Sequence, residues 1–256
     1  MRAIRIKAYQ NMANYRLPSS AVIKESYPLP PYSTVIGMVH AACGFREYVP
    51  MRVSVQGRCT SHLSDLYTKY EFGKNTKYEE KRFGIPLPLD DTLYGMARGI
   101  GNVELLVDVD LVFHIIPEDE SRIDEIADGL WQPKNYLSLG RWEDLLRVDE
   151  VCVCDLQEIQ LEDECALPYD CYIPLQAEQD LEQQGMLNVT GTVYSLHKAY
   201  SISASGLRVW DQQVRARFAR AGTSTIQDAP LLIDVDKQYP SNNTWENTPY
   251  IPVFPA

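Results

Sequence analysis

Pro28, Pro30 and Pro31 stand just ahead of an apolar run from Val35 to Cys43. Each proline fixes φ, removes an amide donor and drives its predecessor into an extended conformation, so no helix can pass through residues 27–31. Ser33 and Thr34 are N-cap residue types, and Gly44 is placed as a C′ stop. The pattern predicts an extended entry followed by a buried helix over about residues 33–44, with Gly37, Ala41 and Ala42 letting a neighbouring element come close. Beside Tyr32, Ser33 and Thr34 the helix start would present free amides and a partial positive charge, which favours a phosphate. An ordinary capped core helix has the same sequence.

The remaining periodicity is mostly that of strands. Residues 2–9 alternate, with Ala3, Ile4, Ile6 and Ala8 against Arg2, Arg5 and Lys7, and predict a half-buried first strand. A loop over 10–31 carries Arg16 and Lys24. Residues 51–57 predict a second strand, 102–116 a third and 151–159 a fourth. Residues 121–130 carry Ile123, Ile126, Ala127 and Leu130 at helical spacing, behind the acidic Glu118, Asp119 and Glu120. Residues 60–100 are polar and aromatic with no helical stripe. The order, βαβ, insert, βαβ, predicts an α+β fold of the ferredoxin-like kind: an antiparallel sheet with two helices on one face. This places one domain at 1–160 and a β-rich C-terminal extension at 161–256.

Charge divides the chain. The net charge is −11. Residues 1–100 hold 14 Lys and Arg against 8 Asp and Glu, a balance of +6, and residues 101–256 hold 10 against 27, a balance of −17. Local potential steers partners more than the sum does. The division predicts a basic N-terminal face on an acidic body, and excludes a protein that coats nucleic acid indiscriminately. Arg208, Arg215, Arg217 and Arg220 form a basic patch inside the acidic half, open to two readings: RNA backbone, or an acidic surface of a neighbouring subunit.

Six scattered cysteines with no CxxC pair and no Cys/His quartet predict reduced structural thiols, with no metal site and no cofactor. The chain lacks the roughly 20 consecutive apolar residues of a membrane span, and Met1–Lys7 lacks the apolar region of a signal peptide. A cytoplasmic location with no membrane partner is expected.

Residues 27–40, Tyr-Pro-Leu-Pro-Pro-Tyr-Ser-Thr-Val-Ile-Gly-Met-Val-His, resemble the first-helix motif of the Cas-five family. These are the CRISPR-associated subunits that hold the 5′ end of the guide RNA in type I Cascade surveillance complexes. Tyr136 to Arg141 resembles the family's later hydrophobic-Leu-Gly-Arg segment, and the resemblance covers about residues 1–160. It implies the ferredoxin-like fold with a long β-hairpin thumb, placed at 60–100. Its I-B-type members imply a non-enzymatic subunit that binds the 5′ handle of the crRNA and caps the backbone-subunit filament. They also imply that it docks the large subunit and meets target DNA through the complex.

Within that resemblance, Arg2, Arg5, Arg16, Lys24, Tyr32, Ser33, Thr34, Gly140 and Arg141 become candidate RNA contacts. The thumb adds Lys69, Lys74, Lys77, Lys81 and Arg82, interleaved with Tyr67, Tyr70, Phe72, Tyr78 and Phe83. Cations that follow a backbone and rings that stack on splayed bases suit single-stranded RNA. A solvated hairpin whose aromatics pair across strands has the same composition.

Relatives of the I-C subtype cut the precursor RNA. Metal-free cleavage needs a base, an acid and a cation for the phosphate. His40 and His114 read as core residues, leaving His62 and His197, the latter beside Lys198, as acid–base candidates. No convergent set emerges. The expectation is a non-catalytic protein, with a metal-independent endoribonuclease and a protein-only scaffold as the alternatives.

Overall fold

A computed structural model describes residues 1–73, 76–162, 164–177, 187–234 and 251–256. The chain runs β1 (Arg2–Ala13), α1 (Tyr32–Cys43), β2 (Met51–Glu71), β3 (Ile85–Leu89), β4 (Thr92–Pro117), α2 (Ile123–Trp131) and β5 (Arg147–Gln160). It continues through β6 (Cys165–Ala166), β7 (Asp170–Pro174), β8 (Leu187–Asn188), β9 (Val193–Ile202), β10 (Arg208–Ala219), β11 (Thr225–Ile226), β12 (Pro230–Asp234) and β13 (Ile251–Pro252).

The proline brake sets α1. Pro31, with φ −59° and ψ 154°, is the N-cap, and its carbonyl accepts from the amides of Thr34 and Val35. The helix therefore starts at Tyr32, ahead of the expected Ser33 or Thr34 cap, and neither hydroxyl caps it. Gly44 closes it at φ 70°, a left-handed conformation that glycine adopts without a Cβ clash. The buried side of α1, with Val35, Ile36 and Val39, packs with α2's Ile123, Ile126 and Leu130 over Ile4, Ile6, Val53, Phe113 and Ile115. The other side of α1 departs from expectation. Gly37 and Ala41 are exposed, and nothing lies within 4 Å of a Cβ built on Gly37.

The central strands pair antiparallel in the order β5-β1-β4-β2. The C-terminal strands extend the same sheet on both flanks. On one side β7 pairs with β2, β10 with β7, and β9 forms the edge. The sheet curls there, because β9 also packs against α1. On the other side β12 pairs with β5 and β13 with β12.

The last residues then return to β2. Val53 and Ala256 exchange both backbone hydrogen bonds at 3.1 Å, and Gln56 Nε2 donates to Pro252 O at 2.7 Å. Strands β2, β4, β1, β5, β12 and the terminal segment thus form a closed ring. Its interior holds Ala3, Ile116, Cys154, Leu156 and Val253, together with buried Arg5, His114 and Asp234. Strands β6, β11 and β8 make a small separate sheet.

The stretch expected to be patternless is the continuation of two strands. β2 and β4 stay in register from Met51↔Pro117 to Glu71↔Ala97, long after β1 has ended at Ala13↔Leu106. Beyond Leu63 the β2–β4 ribbon projects for roughly 30 Å at about 3.4 Å per residue. Its far part is exposed on both faces, so it carries no alternation to read.

Candidate nucleic-acid interface

The ribbon is braced at its root by the loop after β1. Asn14 Nδ2 donates to the carbonyls of Lys24 and Glu104 at 2.8 and 2.7 Å, and the Ser26 amide donates to Glu104 Oε2 at 2.9 Å. Lys24 Nζ bonds the Tyr67 hydroxyl and sits 4.3 Å from that ring's centroid. Lys24 and Tyr67 therefore act as a clasp between loop and ribbon.

Further out, Leu66, Tyr70, Phe72 and Tyr78 are exposed, as are Lys77, Lys81 and Arg82. Lys69 is paired with Glu71 at 2.6 Å, and the Arg82 guanidinium lies 5.3 Å from the Phe83 ring centroid. Lys74 lies outside the described residues. Uncovered rings and cations at the end of β2 and in the segment leading to β3 present stacking faces and backbone contacts.

A cleft of about 1030 Å³ opens beside the root, between β2 and the strands that follow residue 160. Arg58, His62, Glu104, Thr192, Tyr194 and Arg220 are among its lining residues. His62 Nδ1 lies 3.1 Å from Glu104 Oε1, and His62 Nε2 lies 3.6 Å from Cys59 Sγ. Burial pushes the Cys59 thiol pKa up, with Asp170 adding to the effect, so the thiol is held protonated beside the imidazole. Burial also raises the Asp170 carboxyl, although the Ala221 amide that donates to it at 2.8 Å pulls the other way. Arg58 and Arg220 bring two guanidiniums to the same opening. An imidazole oriented by a carboxylate next to two cations can hold a phosphate and can pass a proton.

Other expected contacts are placed differently. Arg2 pairs with Asp124 of α2 at 3.2 Å, at the opposite end of β1 from the ribbon. Arg5 is a correction. It is 1% exposed and bonded to Glu150 at 2.7 Å and Asp234 at 2.8 Å, so its charge is neutralised inside the ring of strands and cannot reach RNA. Arg5 sits on the face opposite Ile4 and Ile6. The sequence showed that face as polar, and the C-terminal strands cover it.

Tyr32 is a second correction. It is fully buried against Tyr172, 6.1 Å between ring centroids, and its hydroxyl meets no partner among the described residues. Ser33 and Thr34 lie half-buried in the first helical turn, and Arg16 is exposed on the bracing loop.

Gly140 and Arg141 serve a structural turn. At φ 106° a Cβ on Gly140 would lie 2.7 Å from Asn14 O. Buried Asp144 accepts from the amides of Asn14 and Arg141 and from the Arg141 guanidinium at 2.6 Å, while Glu143 takes the guanidinium's remaining nitrogen at 3.1 Å. Two carboxylates thus cancel the charge expected for RNA.

The acid–base candidates do not converge. His62 lines the cleft, whereas His197 stacks on Trp210 at 4.0 Å and is not among the cleft's lining residues. Burial lowers the pKa of both His197 and half-buried Lys198. His114, Cys154 and Asp234 bring possible metal ligands within 4.8 Å of one another, but the Arg5 guanidinium already sits on Asp234 and opposes a second cation. Among the described residues no helix is long and apolar enough to cross a membrane.

Reading the sequence missed Arg58 and Glu104. Both fall in strands, where only pairing with distant segments reveals that they face one cleft.

These features define an α+β protein whose antiparallel sheet carries a projecting ribbon of exposed rings and charged side chains, with a two-arginine cleft at its root. A family model described as CRISPR-associated protein (Cas_Cas5) matches residues 3–227, and the chain belongs to this family. A chain of a solved "CRISPR RNA-guided surveillance complex" is similar at 17% identity and TM-score 0.53, over 89% of this chain and 91% of that one. A second similar structure is a CRISPR protein from Archaeoglobus fulgidus, at 10% identity and TM-score 0.44, over 93% and 97%. No curated protein matches the chain.

Proposed function

We propose that the chain is a non-catalytic subunit of a type I Cascade complex that binds the 5′ handle of the crRNA, caps the backbone-subunit filament and docks the large subunit. The core strand order β5-β1-β4-β2 with two crossover helices supports the ferredoxin-like reading, and the ribbon supports its thumb. The observation that carries the proposal is the ribbon itself: exposed Tyr70, Phe72 and Tyr78 among Lys77, Lys81 and Arg82, held out from the sheet and braced by Lys24. Bases would stack on the rings while the cations follow the phosphates, and Arg58 and Arg220 would take the strand at the root. Target DNA is met through the complex.

Titrating purified protein with a handle-sequence RNA and a scrambled RNA tests this. Preferential binding of the handle, lost when Tyr70, Phe72 and Tyr78 become serine, supports the proposal. Equal binding of both RNAs by the wild type contradicts it.

A second reading, a metal-independent endoribonuclease, is favoured by one arrangement: His62 on Glu104 in the same cleft as Arg58 and Arg220. His62 would take the 2′-hydroxyl proton as that oxygen attacks the adjacent phosphorus, and the arginines would stabilise the phosphorane charge. The P–O5′ bond would break with the leaving 5′-oxygen protonated by the imidazolium or by water, leaving a 2′,3′-cyclic phosphate. Incubation with repeat RNA in EDTA separates the two readings. Site-specific cutting that disappears in His62→Gln identifies the enzyme, and intact RNA argues against it.

A further inference from the structure

The β9–β10 hairpin has two different faces. Leu196, Ala216 and Phe218 turn inward to the core. His197, paired with Gln213, and Arg215, paired with Ser195, turn outward, and beyond the register shifts at Gln212 they are joined by Trp210, Tyr200 and Arg208. None of these five side chains lines the cleft.

The outward residues are already arranged as a stack. The Trp210 and His197 rings are 4.0 Å apart and within 10° of parallel. Tyr200 meets Trp210 edge-on at 5.7 Å. The Arg208 guanidinium lies 4.1 Å from the Tyr200 centroid and 5.6 Å from that of Trp210. Contact with two rings holds the guanidinium plane in place, while its N–H groups have no carboxylate partner among the described residues. Arg215 likewise has none.

Charge sharpens the contrast with the surroundings. Residues 193–219 contain Lys198, Arg208, Arg215 and Arg217 against Asp211 alone, a balance of +3 within a half that carries −17. Asp211 accepts a hydrogen bond from Ser201 at 3.0 Å, and Ser201 pairs with Val209 on the other face. The outward face therefore presents arginines and rings without an opposing carboxylate among the described residues.

We propose that this face is a second binding site for single-stranded nucleic acid, separate from the ribbon. Tyr200, Trp210 and the guanidinium plane of Arg208 would offer stacking surface to bases, and Arg208 and Arg215, roughly 20 Å apart along the strand, would meet phosphates several nucleotides apart on the same strand. An acidic protein partner would engage the arginines, whereas a single strand engages both features at once, phosphates on the cations and base faces on the rings and guanidinium. Stacking on aromatic and guanidinium planes is the general mode for single strands.

The test uses full-length protein with fluorescein-labelled oligo(U) and oligo(dT), which lack any handle sequence. Arg208→Glu combined with Arg215→Glu should weaken binding of at least one probe about tenfold or more, and Trp210→Leu should weaken it by roughly tenfold, the effect of one lost stacked base. Thermal melts should leave both variants folded. A ribbon variant, Lys77→Glu with Lys81→Glu, reports on the handle site alone, so failure there leaves this result readable. Unchanged probe affinity in both β10 variants overturns the proposal. So does competition by polyglutamate as effective as that by an oligonucleotide of equal charge, which would assign the arginines to an acidic protein.

Discussion

Arg5 Nη1 and Asp234 Oδ2, 229 residues apart in sequence, meet at 2.8 Å inside the closed ring of strands. The same Asp234 oxygen lies 2.9 Å from His114 Nε2, so a carboxylate of β12 neutralises β1 and bonds β4 together. Removing one partner of a buried ion pair leaves the other charge uncompensated, at a cost of about 3–5 kcal/mol. Arg5→Met should therefore lower the melting temperature by about 10 °C, given ~2–4 °C per kcal/mol for a chain of this size. A differential scanning measurement within about 2 °C of wild type would show that the pair does not tie the C-terminal strands to the core.

The same network gives a pH dependence. Burial is the largest influence on His114 and lowers its pKa, outweighing Asp234, which pulls upward; Arg5 also lowers it. The unfolded chain takes up a proton near pH 6.5 while the folded chain resists, so stability is present above that value and lost as pH falls below it. The slope for one such group is at most about 1.4 kcal/mol per pH unit. His40 and His197 shift in the same direction, so the contribution of His114 is isolated by comparison with His114→Gln. Urea denaturation at pH 7.5 and 5.5 should show a smaller pH-dependent loss in the variant. Equal losses would mean that the fold leaves the proton affinity of His114 unchanged.

Gly140→Ala probes the Leu-Gly-Arg turn. A side chain at φ 106°, with its Cβ 2.7 Å from Asn14 O, would displace the end of β1. Strain of this kind costs of order 1–3 kcal/mol. The expected outcome is a destabilised protein, read from urea midpoints, whose RNA affinity is unchanged once folded. Full stability with weakened RNA binding would return this turn to the interface.

On the ribbon, Lys77→Ala, Lys81→Ala and Arg82→Ala together should reduce handle-RNA affinity and flatten its salt dependence. Each lost phosphate contact removes about 0.7 from the log–log slope. These exposed changes should alter stability by no more than about 0.5 kcal/mol each. An unchanged slope would remove these cations from the RNA path.

Several of these relationships were visible before the fold. The prolines before α1, the alternation in β1 and the inner parts of β2, β4 and β5 could all be read, because each of those strands turns an apolar side toward the helices. The projecting part of β2–β4 buries neither face along most of its length, so the expected strands stopped short of residue 60 and began again at 102. Arg5 misled for a related reason. Its alternation marks the face away from α1, but only strands supplied some 230 residues later decide whether that face meets water. In the same way, the cleft joins Arg58 of β2 to Arg220 after β10, a conjunction that depends on β7 lying between those two strands. Trp210 passed unnoticed because its partners His197 and Tyr200 sit on a neighbouring strand across an irregular register.

The central claim, that the projecting ribbon holds the leading nucleotides of the guide, is tested most directly by photocrosslinking. A crRNA carrying 4-thiouridine in its 5′ handle is assembled with the full-length protein and its partner subunits, irradiated, and the linked peptides sequenced. Crosslinks within residues 62–105 and at the Arg58–Arg220 cleft are the predicted result. Crosslinks confined to residues 120–160, or none to this chain while neighbouring subunits are labelled, would contradict it.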